Sequence, residues 1–255
     1  LRLGEVASVN VPVTALIVIG PGISGSTAEH RLLSTLIGAA VAIVFSYFSH
    51  ASTPAGRTID QITRLGKKSA DLLGNMAEGV ASGYSQDDAG KWLLRARILI
   101  EEIPNVRAQA LEAKKYARWS PLAEADEADA LYLRGVAMEH TVVQVRTIAR
   151  TLFDSAVAGG VTEYANRQIG NALSATSYAI SSKVESIESQ NAGQRALNIA
   201  EDLRLVAATL AEELIAENDR IDQEEFVRNI SLVSNIERIA DSLDESSPAL
   251  SDVRT

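Results

Sequence analysis

Cysteine is absent from the 255-residue chain. That excludes a disulfide framework, a thiolate zinc site and a thiol nucleophile. Aromatic residues make up only 5% of it, and there are three histidines, His30, His50 and His140, far apart in sequence. Proline is scarce and does not occur between Pro121 and Pro248, so helices can run long there. An excess of basic residues is also missing. Lys and Arg total 24 against 33 Asp and Glu, a formal net charge of −9. Binding nucleic acid needs a basic surface to neutralise phosphates, so no nucleic-acid partner is expected. The chain holds no H-E-x-x-H, no G-x-S-x-G and no calcium loop. Gly66-Lys67-Lys68-Ser69 lacks the upstream glycine and direct Lys-Ser pair of a phosphate-binding loop. No catalytic residue, metal ligand or cofactor is therefore assigned, and the chain does not read as an enzyme.

Apolar residues, in contrast, reach 46%. The mean hydropathy is slightly positive, at +0.04. That average hides a split. Residues 1–50 carry only Arg2, Glu5, Glu29 and Arg31, while residues 201–255 carry 14 acidic and 5 basic side chains and so the whole net charge of −9. The segment Leu32–Ser49 is apolar nearly all round. As a helix it would span roughly 27 Å at about 1.5 Å per residue, near the thickness of a hydrocarbon core. Val6–Ile19 is shorter and holds Asn10 and Pro12. Beside a span it reads as the first arm of a hairpin. The pattern predicts a transmembrane helical hairpin over 1–52, with spans at about 6–22 and 32–49. Arg57, Arg64, Lys67 and Lys68 follow the second span and only Arg31 lies in the turn, which places the remainder in the cytoplasm.

Within the second span Ser34, Gly38, Ala42 and Ser46 recur every fourth residue. Such a small-residue stripe lets a neighbouring helix approach closely in lipid. An Ala/Gly-rich helix without that role fits equally well. Gly20, Gly22 and Gly25 match G-x-G-x-x-G after an apolar run. A dinucleotide site would need a second strand ending in an acidic residue; none appears before Asp60, so the glycines read as the hairpin turn.

From Arg57 the period becomes helical. Thr53-Pro54-Ala55-Gly56 reads as a break, and helices are expected over 57–82, 87–118, 124–158, 162–189, 194–217 and 223–243. Asp87 or Asp88 is the expected N-cap of the second, with Pro104 a kink or break. Apolar stripes such as Leu131, Met138, Val142, Val145, Ile148 and Leu152 mark buried seams. Short turns favour antiparallel neighbours, so an all-α cytoplasmic bundle is expected over 57–246, with a tail at 247–255. Trp92, among Lys91, Arg95 and Arg97, is either a packing anchor or a lipid-headgroup contact.

Three groups of residues carry a family resemblance. They are Val13–Pro21 (VTALIVIGP), Gly25-Ser26-Thr27, and Arg31–Ala39 (RLLSTLIGA). With Leu94–Arg97, Lys115–Pro121 and Val143–Leu152, they make the chain resemble the fusaric acid resistance and aromatic acid exporter family of bacterial membrane transporters. Ser34 stands where that family's pattern has a glycine. The resemblance implies a multi-pass inner-membrane protein that exports small organic or aromatic acids, driven by the proton gradient. The chain would then be the last hairpin and the cytoplasmic domain. Its partners would be the lipid bilayer and further transmembrane helices of the same transporter or of other protomers in a homo-oligomer. Proton coupling calls for an ionisable group near the pathway. Glu29, His30 and Arg31 at the outer mouth are the candidates, with interfacial anchoring as their alternative. The competing reading of the whole chain is a membrane-anchored helical scaffold that does not transport.

Overall fold

The computed structural model describes residues 33–38, 54–119, 125–159, 163–188, 194–217, 222–244 and 247. All regular structure among them is helical. The chain divides into two compact units, Leu1–Thr53 and Pro54–Thr255. In the first, residues 33–38 are helical and solvent-exposed, Leu33, Leu36 and Ile37 included. The rest of the two expected spans lies outside the described residues. Among the described residues, no helix is long and apolar enough to cross a membrane.

Among its described residues the second unit holds six long helices. Helix α1 covers Pro54–Ser82, α2 Gln86–Trp119, α3 Ala125–Val157, α4 Glu163–Glu188, α5 Gln194–Ala216 and α6 Gln223–Leu243. Three local expectations change. First, α1 starts at Pro54, at the boundary between the two units, and not at Arg57. Proline suits a first helical turn, where its missing N–H has no partner to lose. The Thr58 hydroxyl donates back to the Pro54 carbonyl at 2.8 Å. Second, Ser85 caps α2, in place of Asp87 or Asp88. Its hydroxyl accepts from the Asp88 N–H at 3.2 Å, and its own N–H donates to the Asp88 carboxylate at 3.1 Å. That reciprocal pair is a capping box with Asp in the usual Glu position. Third, of the kink or break expected at Pro104 the break does not occur: α2 continues through Pro104, which is exposed. Between α1 and α2, Gly83 takes φ +83°, a left-handed turn that favours glycine.

Helix α1 sits at the centre. It packs most extensively on α4 and also touches α2 and α3. Glycine makes the closest approaches possible. A Cβ on Gly66 would fall within 3.0 Å of both Val184 and Met138. A Cβ on Gly170 would lie 3.1 Å from the Ala77 carbonyl oxygen. Two turns further along, the Ser177 hydroxyl donates across to the Ala70 carbonyl at 2.8 Å. Trp92 lies over Gly79 and beside Tyr84, ring centroids 5.3 Å apart. It is buried, and so anchors the α1–α2 corner.

The outer helices are clamped by ion pairs. Arg107 of α2 donates twice to the Glu139 carboxylate of α3, which raises its pKa further. Arg204 of α5 reaches Asp241 and Asp244 at the end of α6, each at 2.9 Å. Helix α2 flanks α1 and α3, and α5 flanks α4 and α6. The stripes expected on α3 and α4 are core: all six named residues of α3 are buried, as are Ile169, Leu173, Thr176, Ile180, Val184 and Ile187 of α4. Helix α6 buries Val233, Ile236, Ala240 and Leu243 of its expected stripe, leaves Phe226 and Ile230 only half-buried, and buries Leu232 and Ile239 in addition. It packs on both α5 and α3, so one seam is not enough.

Candidate functional site

Helices α4 and α6 share little contact, although both line the same side of the core. The gap they leave is closed by α3 and forms a cleft of about 60 Å³. From α3 it is lined by Ala130, Leu133, Arg134, Ala137, Met138 and Thr141, from α4 by Lys183 and Ile187, and from α6 by Ser242 and Leu243. Helical spacing explains the set. Ala130, Leu133, Ala137 and Thr141 recur at three and four residues and so share one face of α3. Lys183 and Ile187 stand one turn apart on α4.

The hydroxyls in the lining are already committed. Thr141 donates to the Ala137 carbonyl at 2.9 Å and Ser242 to the Arg238 carbonyl at 2.8 Å. Both bonds lie within their own helix, so the walls present methyl groups and aliphatic carbon. Two cations interrupt this apolar lining. Lys183 is only 4% exposed, its stem laid along the apolar wall. Arg134 is half-buried on the opposite helix. Both cations already have interaction partners, so a small ligand with an apolar body and an anionic head would have to share or displace them. The volume exceeds several waters but is below the roughly 150 Å³ of a cavity that takes up benzene. A ring could enter only by displacing the unbranched Met138 side chain, which adapts easily.

The sequence-based candidates fall elsewhere. Glu29, His30 and Arg31 lie outside the described residues, as do Ala42, Ser46, Gly20, Gly22 and Gly25. Ser34 and Gly38 lie in the exposed helical segment 33–38, and a Cβ on Gly38 would meet nothing within 4 Å. His140 sits on α3 beside the cleft helices and does not line it. Among the described residues no cluster of three or more His, Asp or Glu could hold a metal ion. Sequence reading missed Arg134 and Lys183 because they are 49 positions apart, on different helices. The one available signal was Lys183 itself, a cation interrupting the apolar face of α4 one residue before Val184.

A second polar cluster lies at the opposite end of the bundle. Tyr84 donates to the Leu152 carbonyl at 3.1 Å, and burial pushes its phenol up to about 12. Ser155, three residues on from Leu152 on α3, and Asn229 of α6 are buried with side-chain polar atoms that have no hydrogen-bond partner among the described residues. Comparison with known protein families, characterised proteins and solved structures finds no match to this chain.

Proposed function

We propose that the chain is a portion of a bacterial inner-membrane exporter of small organic acids, driven by the proton gradient. In this reading the apolar head over 1–52 forms the membrane hairpin, and the bundle that begins at Pro54 lies in the cytoplasm. Further transmembrane helices of the same transporter, or of other protomers, complete the pathway. The single observation that carries the reading is the cleft. Its apolar walls with Arg134 and Lys183 fit an organic anion drawn from the cytoplasm. The likeness of the head and the bundle to the exporter family supports it independently.

The test is a titration of the full chain in detergent with benzoate and with benzyl alcohol, which shares the ring but lacks the charge. Benzoate should bind, benzyl alcohol should bind at least tenfold more weakly, and Arg134→Gln should abolish the difference. Equal binding of both ligands, or of neither, would overturn the cleft's role. Efflux by the full-length protein tests the mouth residues separately. If Glu29→Gln and His30→Ala leave efflux unchanged, neither residue couples protons. The scaffold reading keeps one observation in its favour, the exposed apolar side chains on the outer faces of α2 and α5.

A further inference from the structure

Helices α2 and α5 are the outermost of the bundle and share no neighbouring helix. Each leaves large apolar side chains in water. On α2 these are Leu94, 58% exposed, and Ile98, 50% exposed. On α5 they are Leu205 and Ile215, 68% and 60% exposed. They are not scattered. Lys91, Leu94, Ile98 and Glu101 follow the three-four spacing of a helical seam, as do Glu201, Leu205, Ala208, Glu212 and Ile215.

The charges around the two seams have opposite signs. Arg95 and Arg97 flank Leu94 and Ile98, both exposed and with no ion pair among the described residues. Asp202 and Glu212 flank Leu205, also exposed and likewise unpaired. Exposed charges without an ion pair also occur elsewhere on the bundle, Arg64, Arg146 and Glu237 among them, and the carboxylate of Glu101 is one on the α2 seam itself. What distinguishes the two seams is the charge next to the exposed apolar side chains: Arg95 and Arg97 beside Leu94 and Ile98, carboxylates beside Leu205 and Ile215. Two α2 faces would repel one another, as would two α5 faces, but an α2 face and an α5 face attract.

We propose that copies of this chain associate head to tail, the α2 seam of one against the α5 seam of the next. Leu94 and Ile98 pack near Leu205, while Arg95 and Arg97 meet Asp202 and Glu212. This is a heterologous contact, which leaves one seam free at each end and so builds a ring or an open row. A helix laid on a helix buries less than the roughly 1,600 Å² of a standard interface. Assembly is therefore concentration-dependent and salt-sensitive. The proposal does not depend on the cleft.

The absence of cysteine makes a clean test possible. Leu94→Cys and Leu205→Cys are prepared in the full chain in detergent, with tags of different size, and mixed with a short bismaleimide. A covalent product joining the two different variants should dominate, with each variant alone giving at least tenfold less. Arg95→Glu with Arg97→Glu on the first chain should abolish that product, and Asp202→Lys with Glu212→Lys on the second should restore it. Circular dichroism confirms that these surface variants stay helical. Self-linking of either variant as strong as mixed linking would overturn the head-to-tail contact, and so would no linking at all. A third adverse result would be no mixed product while Arg95→Glu with Arg97→Glu releases the chain from phosphatidylglycerol vesicles. The α2 seam would then face lipid.

Discussion

Replacing Gly66 by alanine places a methyl group where α1, α3 and α4 meet, and the structure fixes what that methyl encounters. One contact is Met138, whose terminal methyl can swing aside. The other is Val184, fully buried and β-branched, with little rotamer freedom in a helix. Overpacking of this kind costs about 1–3 kcal/mol. Alanine recovers about 1 kcal/mol of helix propensity over glycine. The net loss expected for Gly66→Ala is therefore about 0–2 kcal/mol. Val184→Ala alone empties a sealed site and should cost about 2 kcal/mol or more. In the double variant the new methyl occupies part of the space that valine vacated. The two costs should then fall short of their sum by about 1 kcal/mol or more, well outside the roughly 0.3–0.5 kcal/mol within which independent sites add. Urea unfolding followed by far-ultraviolet circular dichroism measures all four proteins. Additive losses would refute the close approach of α1 to α4 at Gly66, because the two side chains would then not share one space.

Three further outcomes follow from groups already described. Asn229→Leu should stabilise the bundle by about 1–3 kcal/mol, since it removes two buried polar atoms without partners; a lower urea midpoint would mean that Asn229 is satisfied by bound water or ligand. Tyr84→Phe should lose about 1 kcal/mol at neutral pH with its bond to Leu152. The same variant should resist alkali better. The folded state holds the phenol neutral up to about 12 against an unfolded value near 10, so wild-type stability is full below 10 and falls as the pH rises through that window. At the other extreme, the Ser85 hydroxyl and N–H hold the Asp88 carboxyl below the usual carboxylate range. Its contribution is present above the ordinary value near 4 and disappears as the pH falls through the lower folded value, and Ser85→Ala should flatten that acid limb of a thermal-melting profile.

The helices were legible because their seams are long and regular. The stripe from Leu131 to Leu152 needs only the 3.6-residue period to be read as core. Helix starts were less legible. Serine and aspartate both cap well, and in Ser85-Gln-Asp-Asp88 the two ends of one capping box compete for the same role on propensity alone. At Pro104 the sequence left a kink and a break both open; it lies on the exposed side of α2, where the missing hydrogen bond faces water and the helix continues. The cleft was illegible. Arg134 reads as an ordinary surface arginine until α4 brings Lys183 opposite it, and nothing local encodes which helix faces become neighbours. Leu232 and Ile239 were passed over because a single amphipathic seam was assumed for a helix that is sandwiched between two partners.

The pairing of α1 with α4 also sets a timetable for synthesis. Ala70 and Ser177, which hydrogen-bond across that contact, are 107 residues apart in the chain. At about 5–20 residues per second, α1 leaves the ribosome roughly 5–20 s before its main partner. During that wait α2 and α3 can fold against it, yet the α4-facing surface at Ala70 and Ala77 stays bare. A nascent chain halted before Glu163 would therefore present that face as a ready surface for a chaperone or for aggregation.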